Sequence, residues 1–252
     1  MAKTFYYDSH DLFNATITAG TFSSTSFSTN ATAITDENRI VDQSISSVVS
    51  SFDNGDSIKI NTPRAKTASF LALYFTAEET DNITFNRGVA SNIFSEITSI
   101  TDTFTAGWNI STFTETSSSN SFYLNSTTGA ISNLSEIIFG NKLEFEINPD
   151  IGIGENEIFG TEINTSVGGV EYAIKKHEPK TTFSMNFSNI SETFKNNLQT
   201  FEGHVQNFKK FIYSEDSTTG PFYYVRLDSP IEIQEVAFNR YSASFLLTEQ
   251  LS

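Results

Sequence analysis

Cysteine is absent from the 252 residues, and the chain has only two methionines and one tryptophan. Without cysteine the protein can form no disulfide framework, no thiolate metal site and no cysteine nucleophile. The three histidines, His10, His177 and His204, stand far apart, and none lies in a metal-binding or triad motif, so we expect each at the surface. The fold must therefore be held by its apolar core.

Long apolar runs and positive charge are also scarce. The longest run, Phe70–Phe75, is far too short to span a bilayer, and no charged and apolar leader opens the chain. We therefore expect assembly in the cytoplasm and no membrane insertion. The chain contains fifteen Lys and Arg and thirty Asp and Glu, and the resulting net charge of -15 opposes binding to nucleic acid or anionic membranes. A simple solubility role accounts for this charge equally well.

The motifs that would indicate catalysis are incomplete. Gly152-Ile153-Gly154 lacks the third glycine of a phosphate-binding loop. Glu144 and Glu146 share a strand face, where paired acids are usually solvated. The segment Asp53–Asp56 is typical of a tight turn, although its oxygen atoms leave calcium binding as an alternative. We predict no enzyme, no cofactor and no metal.

The composition that remains favours β structure. Twenty-four Phe and nine Tyr, with abundant Thr and Ile, are typical of strands. Residues Met1 to about Thr62 are weakly patterned and predict an extended segment along the surface. Alternating apolar residues then predict strands, a turn at Asn86-Arg87-Gly88, and a polar stretch to Thr105.

The C-terminal part predicts a strand, a helix and further antiparallel strands. A helix from Ser191 to Lys209, capped by Asn189, follows from apolar residues spaced by three and four: Phe194, Leu198, Phe201, Val205 and Phe208. We also predict a bulge near Gln234 or Glu235. The break at Asn148-Pro149-Asp150, followed by Ile151–Gly154, predicts two domains, 1–148 and 149–252.

The N-terminal domain resembles a galactose-binding-like jelly roll of the discoidin class. The resemblance covers roughly residues 10–147 and rests on apolar patterns in five segments: Ile58–Pro63, Ala68–Phe75, Ile83–Phe85, Ser121–Leu124 and Ile131–Lys142. It implies a β-sandwich that binds sugars. In such a domain Trp108, on a loop, would stack on a pyranose ring while Arg87 or Asn86 bonds its hydroxyls. Alternatively, the sole Trp fills the sandwich core.

The last 100 or so residues resemble distal tail and tail-hub proteins of tailed phages. The segments that carry this resemblance are Phe183–Phe187, the helix to Phe208, Phe211–Tyr213, Tyr223–Leu227 and Tyr241–Glu249. It implies a tail-tube-like β-sandwich flanked by one α-helix. It also implies self-association into a ring, expected to be a hexamer, in contact with tube and tip proteins.

Two functions follow from these resemblances. The first is a structural protein of a virion tail tip, which joins the tail tube to the tip or baseplate, helps to pass DNA and recognises no nucleic-acid sequence. The alternative is a carbohydrate-binding adhesin or receptor-binding module of the virion, with a glycan as partner. The first requires self-association and the second does not.

Overall fold

The computed structural model describes residues 3–23, 26–29, 34, 36–49, 52–90, 93–150, 155–217 and 220–250. Ile151–Gly154, which includes the incomplete glycine motif and follows the predicted domain break, lies outside the described residues. The described chain is mostly β, as the sequence predicts. The elements are β1 (Thr4–Tyr7), β2 (Thr16–Ser23), β3 (Ser26–Ser28), β4 (Asp56–Lys66), β5 (Phe70–Phe75), β6 (Glu79–Ala90), β7 (Ile93–Phe104), β8 (Gly107–Thr112), β9 (Ser119–Ser126), β10 (Leu134–Glu144), β11 (Glu155–Thr165), β12 (Glu171–Ser191), α1 (Glu192–Val205), β13 (Phe211–Ser214), β14 (Phe222–Leu227), β15 (Glu232–Ala237) and β16 (Arg240–Glu249), with short 3-10 helices at Leu12–Asn14 and Glu37–Val41.

Two compact units divide the chain. The sandwich unit comprises Tyr6–Lys142, and the helix unit comprises Met1–Phe5 together with Leu143–Leu251. The identities that we assigned to the predicted domains 1–148 and 149–252 stay predictions.

The sandwich unit is built from two antiparallel sheets. One has six strands in the order β3-β2-β4-β9-β6-β7, and the other has β10-β5-β8. Alternate residues of the central strands enter one apolar cluster, including Ile58 and Ile60 of β4 and Leu71 and Leu73 of β5. Burial of this cluster, at about 25 cal/mol per Å² of apolar surface, is the main stabilising term for the unit.

Alternation along the six-stranded sheet separates its two faces. On β6, Ile83 and Phe85 are fully buried in the core, so Thr84 and Asn86 lie on the outer face. On β9, Phe122 is in the core, and its neighbour Tyr123 lies on the outer face. The outer face therefore carries polar and aromatic side chains together.

Three predictions for the N-terminal half are wrong. The entry segment does not follow the surface, because Phe5 and Tyr6 are fully buried and β2 pairs with β4. Asn86-Arg87-Gly88 is not a turn but part of β6, and the predicted polar stretch contains β7, which pairs with β6. Ladder pairing satisfies the backbone groups of these polar segments, so their weak apolar pattern does not prevent strand formation.

The helix unit contains the sheet β11-β12-β16-β14-β13, and β15 pairs with β16. The final strand lies where the sequence predicts it, and the β15–β16 register shifts between Glu235 and Ala237, at the predicted bulge. Helix α1 buries four of the five predicted apolar residues, Phe194, Leu198, Phe201 and Val205. Phe201 stacks on Phe5 with ring centroids 4.8 Å apart, which places the helix on the core of this unit.

Both ends of the predicted helix need correction. The N-cap is Ser191 rather than Asn189: Ser191 Oγ accepts from Phe194 N at 3.1 Å and donates to Glu146 Oε2 at 2.6 Å. The helix ends at Val205, because Gln206 adopts a φ of 49°, and Phe208 beyond it is 55% exposed. Within the described residues no helix has the length and apolar character needed to cross a membrane.

Candidate functional site

A groove on the outer face of the six-stranded sheet is the best candidate site in the sandwich unit. Its volume is about 440 Å³. It combines aromatic rings with amides, hydroxyls and one carboxylate, and its lining residues are Phe22, Asn54, Gly55, Thr84, Asn86, Phe94, Glu96, Asn125, Ser126 and Thr127. Clefts with apolar walls and a few placed polar groups are typical of small-molecule sites.

The aromatic wall comes from three strands. Phe22 of β2 contacts Phe94 of β7 edge to face, with ring centroids 4.8 Å apart. Tyr123 of β9 lies beneath both, 5.6 Å from Phe22 and 4.9 Å from Phe94. Phe22 and Phe94 are partly exposed, whereas Tyr123 is buried and its burial raises the pKa of its hydroxyl. The two outer rings therefore present apolar surface to the groove.

The tight β2–β3 hairpin supports this wall. Phe27 pairs with Phe22 across the hairpin and contacts Tyr123 at 5.5 Å. A Cβ at Gly20 would lie 2.6 Å from Cζ of Phe27 and 2.3 Å from the carbonyl oxygen of Ser28, so only glycine fits here. Lys59 Nζ lies 5.7 Å from the centroid of Phe27 and 5.8 Å from that of Tyr123, as in a cation–π contact.

The floor of the groove is a row of hydrogen-bonded polar side chains. Ser57 Oγ donates to Asn125 Oδ1 at 2.6 Å, and Asn125 Nδ2 donates to Thr84 Oγ1 at 3.0 Å. Asn86 Nδ2 donates to the same Thr84 oxygen at 3.3 Å. Because a hydroxyl has two acceptor lone pairs and one proton, both acceptor positions of Thr84 are used and its proton can be donated to a ligand. Asn86 and Asn125 are 6% and 3% exposed, so the network holds them in place.

Glu96 supplies the charge of the groove. It is exposed and pairs in register with Asn86 across β6 and β7. Among the lining residues it alone carries a charge, and it forms no ion pair within the described part of the chain. Its carboxylate can accept hydrogen bonds from hydroxyls or from an ammonium group.

The turn at Asp53–Asp56 closes one end of the groove. Gly55 has a φ of +87°, and its N–H donates to Ser126 O at 3.1 Å. Asp56 Oδ2 accepts from Asp53 N at 3.1 Å, and burial raises the pKa of this carboxyl. No group of three or more acidic or histidine side chains suited to a metal occurs among the described residues. Asn54 and Gly55 of the turn line the groove, so the turn forms part of its wall.

The structure separates the three residues predicted to bind a sugar. Asn86 lines the groove. Arg87 pairs with Phe122 of β9, so the alternation places it on the opposite face of the same sheet. Trp108 lies in β8 of the other sheet, is 9% exposed and contacts Tyr74 edge to face at 5.2 Å. It is neither on a loop nor in the central core cluster. A sugar contact at Arg87 or Trp108 stays a prediction.

Sequence reasoning missed most of the groove. Phe94 and Glu96 fall in the segment that we expected to be a polar stretch, and Phe22 in the expected surface segment. Apolar residues of β7 recur every third position at Phe94, Ile97 and Ile100, which hides the alternation of a strand. The β6–β7 register shift beside Asn86 then brings Glu96 opposite it, and no local pattern encodes that shift.

The histidines and a second cavity are weaker candidates. His10 is buried, contrary to expectation, with its ring 5.0 Å from those of Phe122 and Phe139. His177 is exposed, as expected. A cavity of about 430 Å³ in the helix unit lies beside Gly203; polar side chains line it together with Leu227 and Pro230, and none of its lining residues is aromatic.

Known proteins were compared with the chain. No protein-family model and no curated protein matches the sequence. Similar solved structures include a mutant of chitosan-binding module 1 of a chitosanase/glucanase from Paenibacillus sp. IK-5, with 16% identity over 52% of this chain and 96% of that chain and a TM-score of 0.39.

Two further structures come from Clostridium perfringens. The module CpGH89CBM32-5, solved with GalNAc-β-1,3-galactose, is 11% identical over 52% of this chain and 99% of that chain, with a TM-score of 0.40. The family 32 carbohydrate-binding module of NanJ, solved with galactose, is 10% identical over 54% of this chain and 98% of that chain, with a TM-score of 0.38. These identities and TM-scores are too low to indicate what this chain binds. The proposed function therefore rests on the groove itself.

Proposed function

We propose that the sandwich unit binds a glycan in the groove on its six-stranded sheet. The observation that carries the proposal is the combination of two partly exposed rings, Phe22 and Phe94, with a fixed row of amide and hydroxyl groups on the groove floor. A pyranose presents an apolar face of C–H groups and a rim of hydroxyls. It therefore needs both an aromatic surface and hydrogen-bonding groups that are already in place.

The preorganised floor supports this reading. Asn125 and Asn86 are both anchored on Thr84 before any ligand arrives. Binding then orders few side chains, and each immobilised side chain would otherwise cost about 0.5–1.5 kcal/mol. The volume of about 440 Å³ is suited to one or two sugar rings and lies in the range of small-ligand sites, about 300–1,000 Å³.

The test is calorimetric titration of the full chain with ligands found by glycan-array screening. We expect Phe94→Ala to weaken affinity by about two- to tenfold, since an aromatic ring contact is worth roughly 0.5–1.5 kcal/mol. Phe13→Ala is the matched control, because Phe13 is 61% exposed and does not line the groove. Equal affinity of both variants for the ligand, or no ligand in the screen, would reject the proposal.

The predicted roles in a virion tail stay predictions. None of the solved structures named above is a tail protein, and the groove does not depend on such a role. The same holds for the expected hexameric ring, the tube and tip partners and the location in a virion. A glycan-binding groove is compatible with the adhesin alternative, in which the sandwich unit contacts the receptor.

A further inference from the structure

A two-stranded ribbon in the helix unit has no neighbouring strand on either side among the residues that the structure describes. It consists of β11 and the first half of β12, joined by the turn at Ser166–Val170. All residues from 161 to 179 are exposed. β12 pairs with β16 only from Thr182 onward, so Glu171–Lys180 has no strand beside it on that edge within the described chain.

The ribbon exposes several large apolar side chains to solvent, which is unusual for a hairpin that has no binding partner. Phe159, Ile163 and Tyr172 are 68%, 62% and 58% exposed, and Val167, Val170 and Ile174 are exposed as well. Each exposed aromatic ring alone leaves on the order of 100 Å² or more uncovered, and contiguous apolar patches of a few hundred Å² usually mark interaction sites. A two-stranded ribbon is only marginally stable, whereas three or more strands can be stable.

The free edge of β12 is complementary to itself. If two copies pair antiparallel about a two-fold axis at Ala173, Glu171 lies opposite the partner's Lys175, and Lys175 opposite the partner's Glu171. In the same register Tyr172 lies opposite the partner's Ile174, and the small side chain of Ala173 lies on the axis. Opposite charges and aromatic–β-branched pairs are the favourable cross-strand combinations.

Neighbouring registers lack this complementarity. A two-fold axis at Tyr172 places Glu171 opposite the partner's Ala173, and an axis at Ile174 places Glu171 opposite the partner's His177. Pro179, which cannot donate a ladder hydrogen bond, lies outside the paired segment 170–176, so it does not interrupt the ladder. The present partner of Lys175 is Glu178 at 2.5 Å, a pair whose side chains are 60% and 70% exposed. Such an exposed pair contributes little and can be exchanged.

We propose that the protein dimerises through this edge, forming a continuous four-stranded antiparallel sheet from two ribbons with Ala173 at the two-fold axis. The contact is isologous, so each copy uses the same surface. It is therefore distinct from the head-to-tail contacts of a ring, and it goes beyond glycan binding because it lies in the other unit. A dimer would also present two glycan grooves, which raises apparent affinity for a multivalent ligand.

The test is sedimentation equilibrium of the full chain with charge-reversal variants. We expect the wild type to dimerise with concentration, and Glu171→Lys or Lys175→Glu to weaken dimerisation roughly tenfold, because each change places like charges opposite each other at two symmetric positions. The double variant restores both pairs and should recover most of the affinity. All three changes are at exposed positions, so none should affect folding.

Cysteine cross-linking tests the register, since the natural chain contains no cysteine. Ala173→Cys should form an intermolecular disulfide on mild oxidation, because directly opposed Cα atoms lie about 4.5–5.5 Å apart. Thr161→Cys on β11 is the matched control: the two copies of β11 are separated by three strand spacings, about 14 Å, which a disulfide cannot bridge. A wild type that stays monomeric up to its solubility limit, a dimer insensitive to charge reversal, or equal cross-linking of both variants would overturn the proposal.

Discussion

Asp81 fixes the strand that carries the groove floor, and its removal should destabilise the sandwich unit. Oδ1 accepts from the backbone N–H groups of Asn82 at 2.6 Å, Thr128 at 3.1 Å and Gly129 at 2.9 Å, and from the hydroxyl of Thr128. Oδ2 accepts from Ser126 Oγ at 2.6 Å. Asp81 is 3% exposed, so the carboxylate joins the start of β6 to the loop after β9 in a dry environment.

The size of the effect follows from which donors water can reach. Thr128 is exposed, so its donors can bond to water after Asp81→Ala, whereas Ser126 is 1% exposed and keeps only its second acceptor, the carbonyl oxygen of Gly129 at 2.9 Å. Each hydrogen bond to a charged group is worth about 1.5–3 kcal/mol when its partner stays dry. With one such bond lost, we expect Asp81→Ala to lower the free energy of unfolding by about 1.5–3 kcal/mol. Asp36→Ala, which removes only an exposed ion pair with Arg39, should cost at most about 1 kcal/mol.

The pH dependence gives a second readout. Burial alone would raise the pKa of Asp81, but the hydrogen bonds from Ser126, Thr128, Asn82 and Gly129 outweigh it and lower the pKa below its ordinary value. A lowered folded-state pKa stabilises the fold above the unfolded-state value of about 3.9, and this stabilisation is lost as pH falls through the folded-state pKa. Urea unfolding should therefore show a large difference between wild type and Asp81→Asn at pH 7 that shrinks below about pH 4. A difference independent of pH, or an Asp81→Ala cost no larger than that of Asp36→Ala, would refute this reasoning.

Three further predictions concern the groove and the helix. Gly20→Ala should disrupt the β2–β3 hairpin, because the added Cβ would lie 2.3 Å from a backbone oxygen. We expect a lower melting temperature and weaker glycan binding. The control is Gly203→Ala, whose Cβ would meet no atom within 4 Å. Ser191→Ala should lower the free energy of unfolding by about 1 kcal/mol through loss of the N-cap, measured by urea unfolding; the same loss in Ser188→Ala would contradict it. Glu96→Gln should improve binding of a uronic acid and weaken binding of an amino sugar by about two- to fivefold each, which corresponds to one exposed ion pair. Calorimetry should show unchanged affinity for neutral sugars. A uniform change for all three ligands would show that the carboxylate does not interact with the ligand's charge.

Local pattern was sufficient for regular elements and insufficient for the site. The clean alternation of Tyr241, Ala243, Phe245 and Leu247 predicts β16, and the stripe from Phe194 to Val205 predicts α1. The boundaries of these elements depend on contacts with residues that are distant in sequence. Ser191 replaces Asn189 as the cap because Glu146, forty-five residues away, bonds both its backbone N–H and its hydroxyl.

The groove depends on long-range register. Asn86 was predicted as a ligand-binding residue and does line the groove, but its neighbours Phe22, Phe94 and Asn125 come from three other strands. Arg87 follows Asn86 in sequence and therefore lies on the opposite face, a separation that appears only once the segment is known to be a strand rather than a turn. Trp108 is the sole tryptophan, and its position follows from strand pairing with Tyr74 in the sheet that contains β5 and β8.

The most direct test of the groove is an NMR titration of the ¹⁵N-labelled full chain with methyl glycosides, followed at the side-chain amide signals of Asn86 and Asn125. Binding in the groove predicts saturable shifts of both signals, with little change at the side-chain amide of Asn109, which lies on β8 in the other sheet. Saturable binding that shifts Asn109 or Trp108 and leaves Asn86 and Asn125 unchanged would contradict the account and place the sugar on the sheet that contains β8 instead.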